Sequence, residues 1–155
     1  MDVREYIESE TTRQSGTMAE AVGMYMAWEK FVNIKNSGYR LIEEDLSMAF
    51  RLIKKVKKTE RFNYRNVPVV FNQGMPAMPP AHVPVAMGNL GKAINSRDSH
   101  TLFETPGENA DYFTREFLTI HPFTDGNGRV GSLLWNFLSG TIHQPEPMPY
   151  FFGEA

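Results

Sequence analysis

Apolar residues recur at helical spacing in five windows of the chain, and this pattern constrains the fold more than any other feature. Spacings of three and four residues place apolar side chains on one face of an α-helix. The windows are Met18, Ala21, Val22, Tyr25, Trp28 and Val32; Ile42, Leu46, Ala49, Phe50 and Ile53; Val83, Met87, Leu90 and Ile94; Phe113, Phe117 and Ile120; and Val130, Leu133, Leu134, Phe137 and Leu138. Gly140 predicts the end of the last helix. The pattern predicts a mainly α fold, and 155 residues suffice for a single domain over 1–155.

The stretch 62–80, between the second and third windows, breaks this pattern. Val67, Val69 and Val70 favour extended backbone, and the prolines that follow Asn72-Gln73-Gly74 exclude a helix. β-branched residues before a glycine turn are typical of a β-hairpin. The sequence therefore predicts a short hairpin here.

The link between the fourth and fifth helices concentrates residue types that bind phosphate. Gly126 and Gly128 allow the backbone to turn its N–H groups toward an anion at the positive end of a helix. Arg129 adds a permanent charge and a forked donor for phosphate oxygens. Phosphate would repel Asp125 unless a cation lies between them, which implies Mg²⁺. His121 can accept a hydroxyl proton, because the ordinary pKa of histidine is about 6.5.

Each of these features alone is more often structural than functional. A Gly-x-Gly pair is commonly a tight turn, and a lone histidine is commonly a structural residue. Their concentration within nine residues favours a nucleotide-phosphate site. A Walker loop and a Rossmann loop are excluded, because no Gly-Lys-Ser/Thr occurs and no strand is predicted before Gly126.

The segment His121-Pro122-Phe123-Thr124-Asp125-Gly126-Asn127-Gly128-Arg129 resembles the core of the Fic signature. That signature reads His-Pro-Phe-x-Asp/Glu-Gly-Asn-Gly-Arg-x-x-Arg, and the segment matches eight specified positions. The resemblance implies a Fic-type helical bundle in which 62–80 is the β-hairpin flap and 121–132 is the catalytic loop with the start of a helix.

The same resemblance implies a protein adenylyltransferase, an enzyme that transfers AMP from ATP to a Ser, Thr or Tyr hydroxyl of a target protein. His121 would be the general base and Asp125 would hold the Mg²⁺ cofactor. The implied nucleotide-binding residues are Gly126, Asn127, Gly128 and Arg129. The implied target-docking residues, which would pair with the target as an added strand, are Val69, Val70 and Phe71.

The resemblance ends at position 132, where the signature has a second arginine that clamps the distal phosphate and this chain has Ser132. The loss removes a charge-assisted contact of about 1.5 to 3 kcal/mol. Weaker or reoriented nucleotide binding is expected, unless Arg13 or Lys92 supplies the missing charge.

Residues 1–16 resemble a degenerate form of the segment that inhibits many Fic proteins. That segment reads Ser/Thr-x-x-x-Glu-Gly/Asn, and its glutamate pairs with the second arginine. Thr11-Thr12-Arg13-Gln14-Ser15-Gly16 is similar but has Ser15 in place of the glutamate. Loss of both partners avoids a buried charge without its counter-ion. The hypothesis is that the protein lacks glutamate-type autoinhibition, and the alternative is that 11–16 is an ordinary capped loop.

Charge and composition limit the partners and the compartment that are expected for this chain. The formal charge of −2 disfavours nucleic acid, and the lysine run 54–58 suits the C-terminal end of a helix better than a DNA-binding patch. The absence of cysteine excludes disulfides and zinc–thiolate sites and fits a cytoplasmic protein. The N-terminus carries charges at residues 1–6, where a signal peptide needs an apolar stretch, and no apolar run elsewhere approaches the length of a membrane span.

Two other functions stay open at this point. Doc-like phosphotransferases and other nucleotidyl transferases share the loop, and the Doc-like kinases also lack the second arginine. A catalytically weak binding module would use its flap to hold a partner, although a binder has no need for His121. An antitoxin or a second copy of the chain is a further expected partner.

Overall fold

The computed structural model describes residues 1–71, 74–96, 105–149 and 151. Six α-helices occur in this part of the chain, and a 3-10 turn, Pro80–His82, precedes the fourth. The helices are α1 Val3–Arg13, α2 Met18–Asn36, α3 Glu43–Lys54, α4 Val83–Asn95, α5 Pro106–Ile120 and α6 Asn127–Ser139. The predicted mainly α class is confirmed.

One hydrophobic cluster includes residues from all six helices. α5 packs against α6, α2 packs against α3, and both α2 and α3 contact α6. Trp28 and Phe117 are among the largest fully buried side chains of this cluster. The indole N–H of Trp28 donates to the carbonyl of Ile142 at 2.7 Å, so that its polar atom is satisfied inside the core. None of the described helices has the length and apolar character that a membrane crossing requires.

The face that α2 buries differs from the predicted one. Met18, Val22 and Tyr25 are exposed. A Cβ atom at Gly23 would lie 1.9 Å from the carbonyl oxygen of Leu52, so this glycine allows α3 to approach closely and decides which side of α2 packs inward. The buried residues of α2 are Gly23, Met24, Ala27, Trp28 and Phe31.

The helix α1 is an element that helical spacing did not predict. Asp2 caps it by accepting from the amide of Glu5 at 2.8 Å, and Tyr6 and Ile7 are its buried apolar residues. The residues 11–13 form its last turn, and 14–16 form the connection to α2.

The predicted β-hairpin at 62–80 is not shown, because no β-strand occurs in the described part of this stretch, which excludes residues 72 and 73. A single antiparallel bridge, Val70 to Pro76, takes its place. The amide of Phe71 donates to Met75 at 2.8 Å, and that of Ala77 donates to Val69 at 3.0 Å. Prolines at 68, 76, 79 and 80 have no N–H group to extend the ladder. We refer to residues 62–80 as the flap.

Candidate functional site

The loop between α5 and α6 is closed by Asn127. Its side-chain oxygen accepts from the amide of Phe123 at 3.0 Å, and its side-chain nitrogen donates to the carbonyl of Phe123 at 2.8 Å. Asn127 is buried, so this side chain shapes the loop. Gly126 is the N-cap residue before α6 and has a φ of 84°, which is costly for other residues. The amides of Asn127, Gly128 and Arg129, in the first turn of α6, have no acceptor within the helix.

His121 ends α5 in the left-handed conformation, at a φ of 54°. Its ring is half-buried and packs edge-on against Phe71 of the flap, with 5.1 Å between ring centroids. Its Nδ1 atom lies 3.4 Å from the carbonyl oxygen of Leu118. A carbonyl can only accept, so this long contact favours the tautomer in which Nδ1 carries hydrogen and Nε2 carries a lone pair.

Arg65 joins the flap to this loop, a role that sequence reasoning missed. Only 4% of the residue is exposed, and burial lowers the pKa of its guanidinium group. Within the described part of the chain it forms hydrogen bonds and no ion pair. Its guanidinium group donates to the carbonyls of His121 at 2.7 Å, Val67 at 3.0 Å, Ile120 at 3.2 Å and Met78. A lone arginine before a valine-rich stretch gives no sequence signal of burial.

Two glycines of the loop are covered closely by other elements. A Cβ atom at Gly128 would lie 2.3 Å from Oε1 of Gln14, which belongs to the α1–α2 connection. A Cβ atom at Gly126 would lie 3.3 Å from the side-chain stem of Lys54. The N-terminal end of α6 is thus lined by the α1–α2 connection and by α3 as well as by its own loop.

Four charged residues form a chain of ion pairs beside the loop, which we call the charge network: Arg129, Glu20, Lys54 and Asp125. Arg129 donates through Nη1 to Oε1 of Glu20 at 2.7 Å. Lys54 donates to Oε2 of Glu20 at 2.8 Å and to Oδ2 of Asp125 at 2.7 Å. Arg129 is 1% exposed, and its Nε atom is buried without a hydrogen-bond partner among the described residues. The cations at this site are therefore tied to carboxylates.

The charge network keeps its carboxylates ionised. Burial acts to raise the pKa of Glu20, but hydrogen bonds from Lys54 and Arg129 outweigh it and lower that pKa to about 2. Burial also opposes ionisation of Asp125, and the bond from Lys54 again outweighs it, so the pKa of Asp125 falls. Sequence reasoning missed Glu20, and it treated Lys54 as a solvated helix end.

Asp125 is the predicted ligand of Mg²⁺. Its side chain is 67% exposed, and Oδ1 accepts from the amide of Gly126 at 2.8 Å. No group of three or more metal-ligating side chains occurs among the described residues. A single exposed carboxylate suits Mg²⁺ that takes its other ligands from phosphate and water, provided that Lys54 leaves this carboxylate. Asp125 therefore fits Mg²⁺ on the condition that Lys54 releases its carboxylate.

Ser132 faces the interior of the protein. It is fully buried, and its hydroxyl donates to the carbonyl of Arg129 at 2.8 Å. Of the two cations expected to replace the missing arginine, Arg13 pairs with Glu10 of its own helix at 2.7 Å, and Lys92 is exposed on α4. Lys54, which was not one of the two expected replacements, bonds to Asp125 of the loop.

The segment predicted as a degenerate inhibitory motif lies against Arg129. A Cβ atom at Gly16 would lie 2.7 Å from Nη1 of that arginine. Ser15 itself is exposed in the turn, at a φ of 57°. The carboxylate that pairs with Arg129 comes from Glu20, in the first turn of α2, and not from position 15.

Comparison with protein families gives a match between residues 40–139 and the model of the Fic/DOC family. The matched range contains α3 to α6, the flap and the loop at 121–129.

Similar solved structures also contain Fic domains. A Fic domain containing signaling protein from Bacteroides thetaiotaomicron VPI-5482 is 27% identical over 77% of this chain, with a TM-score of 0.61. A Fic family protein from Desulfovibrio desulfuricans G20 is 24% identical over 87%, with a TM-score of 0.61, and Fic-1 from C. elegans is 22% identical over 92%, with a TM-score of 0.66. The last two show likeness of fold alone. The chain spans 45%, 45% and 47% of these three chains, which is less than half of each.

Proposed function

The chain belongs to the Fic/DOC family, whose members commonly transfer AMP or related nucleotide groups, and we propose that it transfers AMP from ATP to a hydroxyl group of a protein target. The observation that carries this proposal is the position of His121 at the end of α5, on the loop that leads into the N-terminal amides of α6. A base and an anion site side by side are what attack of a hydroxyl on a phosphate requires.

In the proposed reaction, Nε2 of His121 takes the proton of the target hydroxyl. The hydroxyl oxygen attacks the α-phosphorus of ATP, a new P–O bond forms, and the bond from that phosphorus to the bridging oxygen breaks as pyrophosphate leaves. The amides of Gly128 and Arg129 stabilise the oxygens of the α-phosphate, because a helix leaves its first N–H groups unbonded. Asn127 contributes by holding the loop in shape.

Asp125 is the group that would hold Mg²⁺ together with phosphate oxygens, and the ion would supply charge neutralisation for the leaving pyrophosphate. Arg129 acts differently from the direct phosphate ligand that its motif position implies. Its side chain is almost wholly buried and bonded to Glu20, so in the proposal it holds the charge network against α6.

The flap supports a docking role for Val69, Val70 and Phe71. Val69 and Phe71 use backbone bonds within the flap, whereas the backbone of Val70, between them, makes no hydrogen bond to the described part of the chain. The Val70 side chain is 64% exposed. A target segment that pairs with Val70 would lie close to His121, because Phe71 contacts that histidine.

A phosphotransferase is the second candidate, and position 132 is the observation that favours it. Ser132 is buried and offers no cation to the distal phosphates, so the pose of ATP need not be the one that exposes its α-phosphorus. ATP labelled at the α- or the γ-phosphate separates the two reactions. Label from the α position on protein supports AMP transfer, and label from the γ position alone supports phosphate transfer.

Intact mass spectrometry after incubation with Mg-ATP and a lysate-derived target fraction tests the function directly. The wild type is expected to produce an AMP-sized mass increase, and His121→Ala is expected to abolish it. His82→Ala, which changes an exposed histidine outside the loop, is the matched control and should retain activity. Equal modification by the wild type and His121→Ala would refute the proposed base.

A further inference from the structure

Lys54 reaches the loop from the end of α3. Its Cγ and Cδ atoms lie 3.3 Å from the position of a Cβ atom on Gly126, so the stem packs against the start of α6. Its side chain is only 19% exposed, although neighbouring lysines of the same run are exposed. This lysine is therefore fixed in the site, unlike the rest of the run.

The bonds of Lys54 leave it able to change partners. An ammonium group has three N–H donors, and two of them bond to Glu20 and Asp125. Glu20 is mostly buried, with a side chain 15% exposed, whereas the Asp125 side chain is 67% exposed. The bond to Glu20 thus anchors the ammonium group, and the bond to Asp125 lies on the solvent side, where a ligand can replace it.

Arg129, the other cation of the charge network, cannot change partners in this way. The side chain of Arg129 is 2% exposed, and Glu20 already neutralises it at 2.7 Å. Position 132 contributes a buried serine hydroxyl. In the described residues that form the charge network, Lys54 is consequently the cation that a bound phosphate can reach.

On the basis of the proposed function, we propose that Lys54 binds the β- or γ-phosphate of the nucleotide and replaces the cation that position 132 lacks. When nucleotide binds, Lys54 exchanges Asp125 for a phosphate oxygen and keeps its bond to Glu20. Asp125 is thereby released for the metal. The α-phosphate lies at the amides of α6 in the proposed reaction, so Lys54 acts on the phosphates that AMP does not have.

Calorimetric titration with Mg-ATP and with AMP tests this assignment. Lys54→Met is expected to weaken the binding of Mg-ATP about 10-fold or more, as loss of a charge-assisted bond requires, and to leave AMP binding unchanged. Lys57→Met removes an exposed charge from the same run and should change neither affinity. Lys54→Arg keeps the charge and should retain most of the affinity for Mg-ATP.

Thermal unfolding of each variant checks that it is folded, and Lys54→Gln, which keeps a donor for Glu20, replaces Lys54→Met if the latter unfolds. Unchanged binding of Mg-ATP by the folded variant overturns the assignment, as does an equal loss for AMP. Tighter binding of Mg-ATP also overturns it, because Lys54 would then be a competitor for Asp125. A wild type that binds neither nucleotide refutes the proposed function itself, whereas binding that is insensitive to Lys54 refutes only this inference.

Discussion

Replacement of Arg65 by methionine removes the side-chain hydrogen bonds that join the flap to the catalytic loop while it keeps an apolar stem of similar length. The guanidinium group donates to four carbonyl groups, two at the end of α5 and two in the flap. A hydrogen bond from a charged group contributes about 1.5 to 3 kcal/mol. Desolvation of a cation without a carboxylate partner offsets part of that sum.

We expect Arg65→Met to lower the free energy of unfolding by about 3 to 5 kcal/mol, because four carbonyls lose their donor and water reaches only some of them. For a chain of 155 residues this lowers the unfolding temperature by on the order of 10 °C. Urea unfolding measures the change in free energy, and calorimetry measures the change in temperature. Arg65→Lys keeps the charge but not the fork of donors, so its stability should fall between those of Arg65→Met and the wild type.

Arg61→Met is the matched control for this prediction. Arg61 belongs to the same segment, but its side chain is 70% exposed and pairs with Glu44 at the surface, so its loss should barely move the unfolding midpoint. A change below about 1 kcal/mol for Arg65→Met would refute the reasoning, because it would mean that the four bonds do not stabilise the fold. The activity of the folded Arg65→Met protein should also fall, since the carbonyl of His121 is one of the four acceptors.

Two further predictions concern the packing and charges around α2. Gly23→Ala is expected to destabilise the protein by about 3 kcal/mol or more, because the added Cβ would lie 1.9 Å from a backbone oxygen of α3. Urea unfolding measures this change. A neutral effect would contradict the close approach of the two helices. Glu20 has a pKa of about 2 in the folded protein against an ordinary value of 4.5. The ionised Glu20 therefore contributes up to about 3 kcal/mol to the free energy of unfolding. This contribution is present above pH 5 and declines as the pH falls toward 2. The difference in unfolding free energy between the wild type and Glu20→Gln should therefore shrink between pH 5 and pH 3, and parallel curves would count against this role.

The helices α3 to α6 were predictable, because most of their large apolar residues recur on one face. Val83, Met87, Leu90 and Ile94 are all buried as their spacing predicts, and Gly140 ends α6 in the left-handed conformation. Helical spacing predicted the wrong buried face for α2. This helix is apolar on two sides, and only the close approach of α3 at Gly23 selects the side that is buried. Spacing also failed for α1, where Tyr6 and Ile7 are too few apolar residues to show a period.

The motif residues were predictable from local sequence, but their partners were not. Arg129 and Glu20 are 109 positions apart, and Lys54 and Asp125 are 71 apart, so no window of sequence joins them. Arg65 shows the same limit, because its acceptors lie on two segments that meet only in the folded protein. The sequence therefore predicts the residues of the loop. It does not predict the side chains that neutralise the charges of the loop or donate hydrogen bonds to it.

The charge network connects the change at position 132 with the question of which group is transferred. An arginine at 132 would belong to α6, so the cation and the amides that bind phosphate would move together. Lys54 belongs to α3, and its bond to Glu20 links it to α2, so its position depends on those two helices as well as on α6. The distance between the amides at Gly128 and the ammonium group of Lys54 then depends on how α2 and α3 pack, which Gly23 controls. A substitution at Gly23 that the fold tolerates should consequently change the affinity for ATP more than the affinity for AMP, although Gly23 touches no substrate.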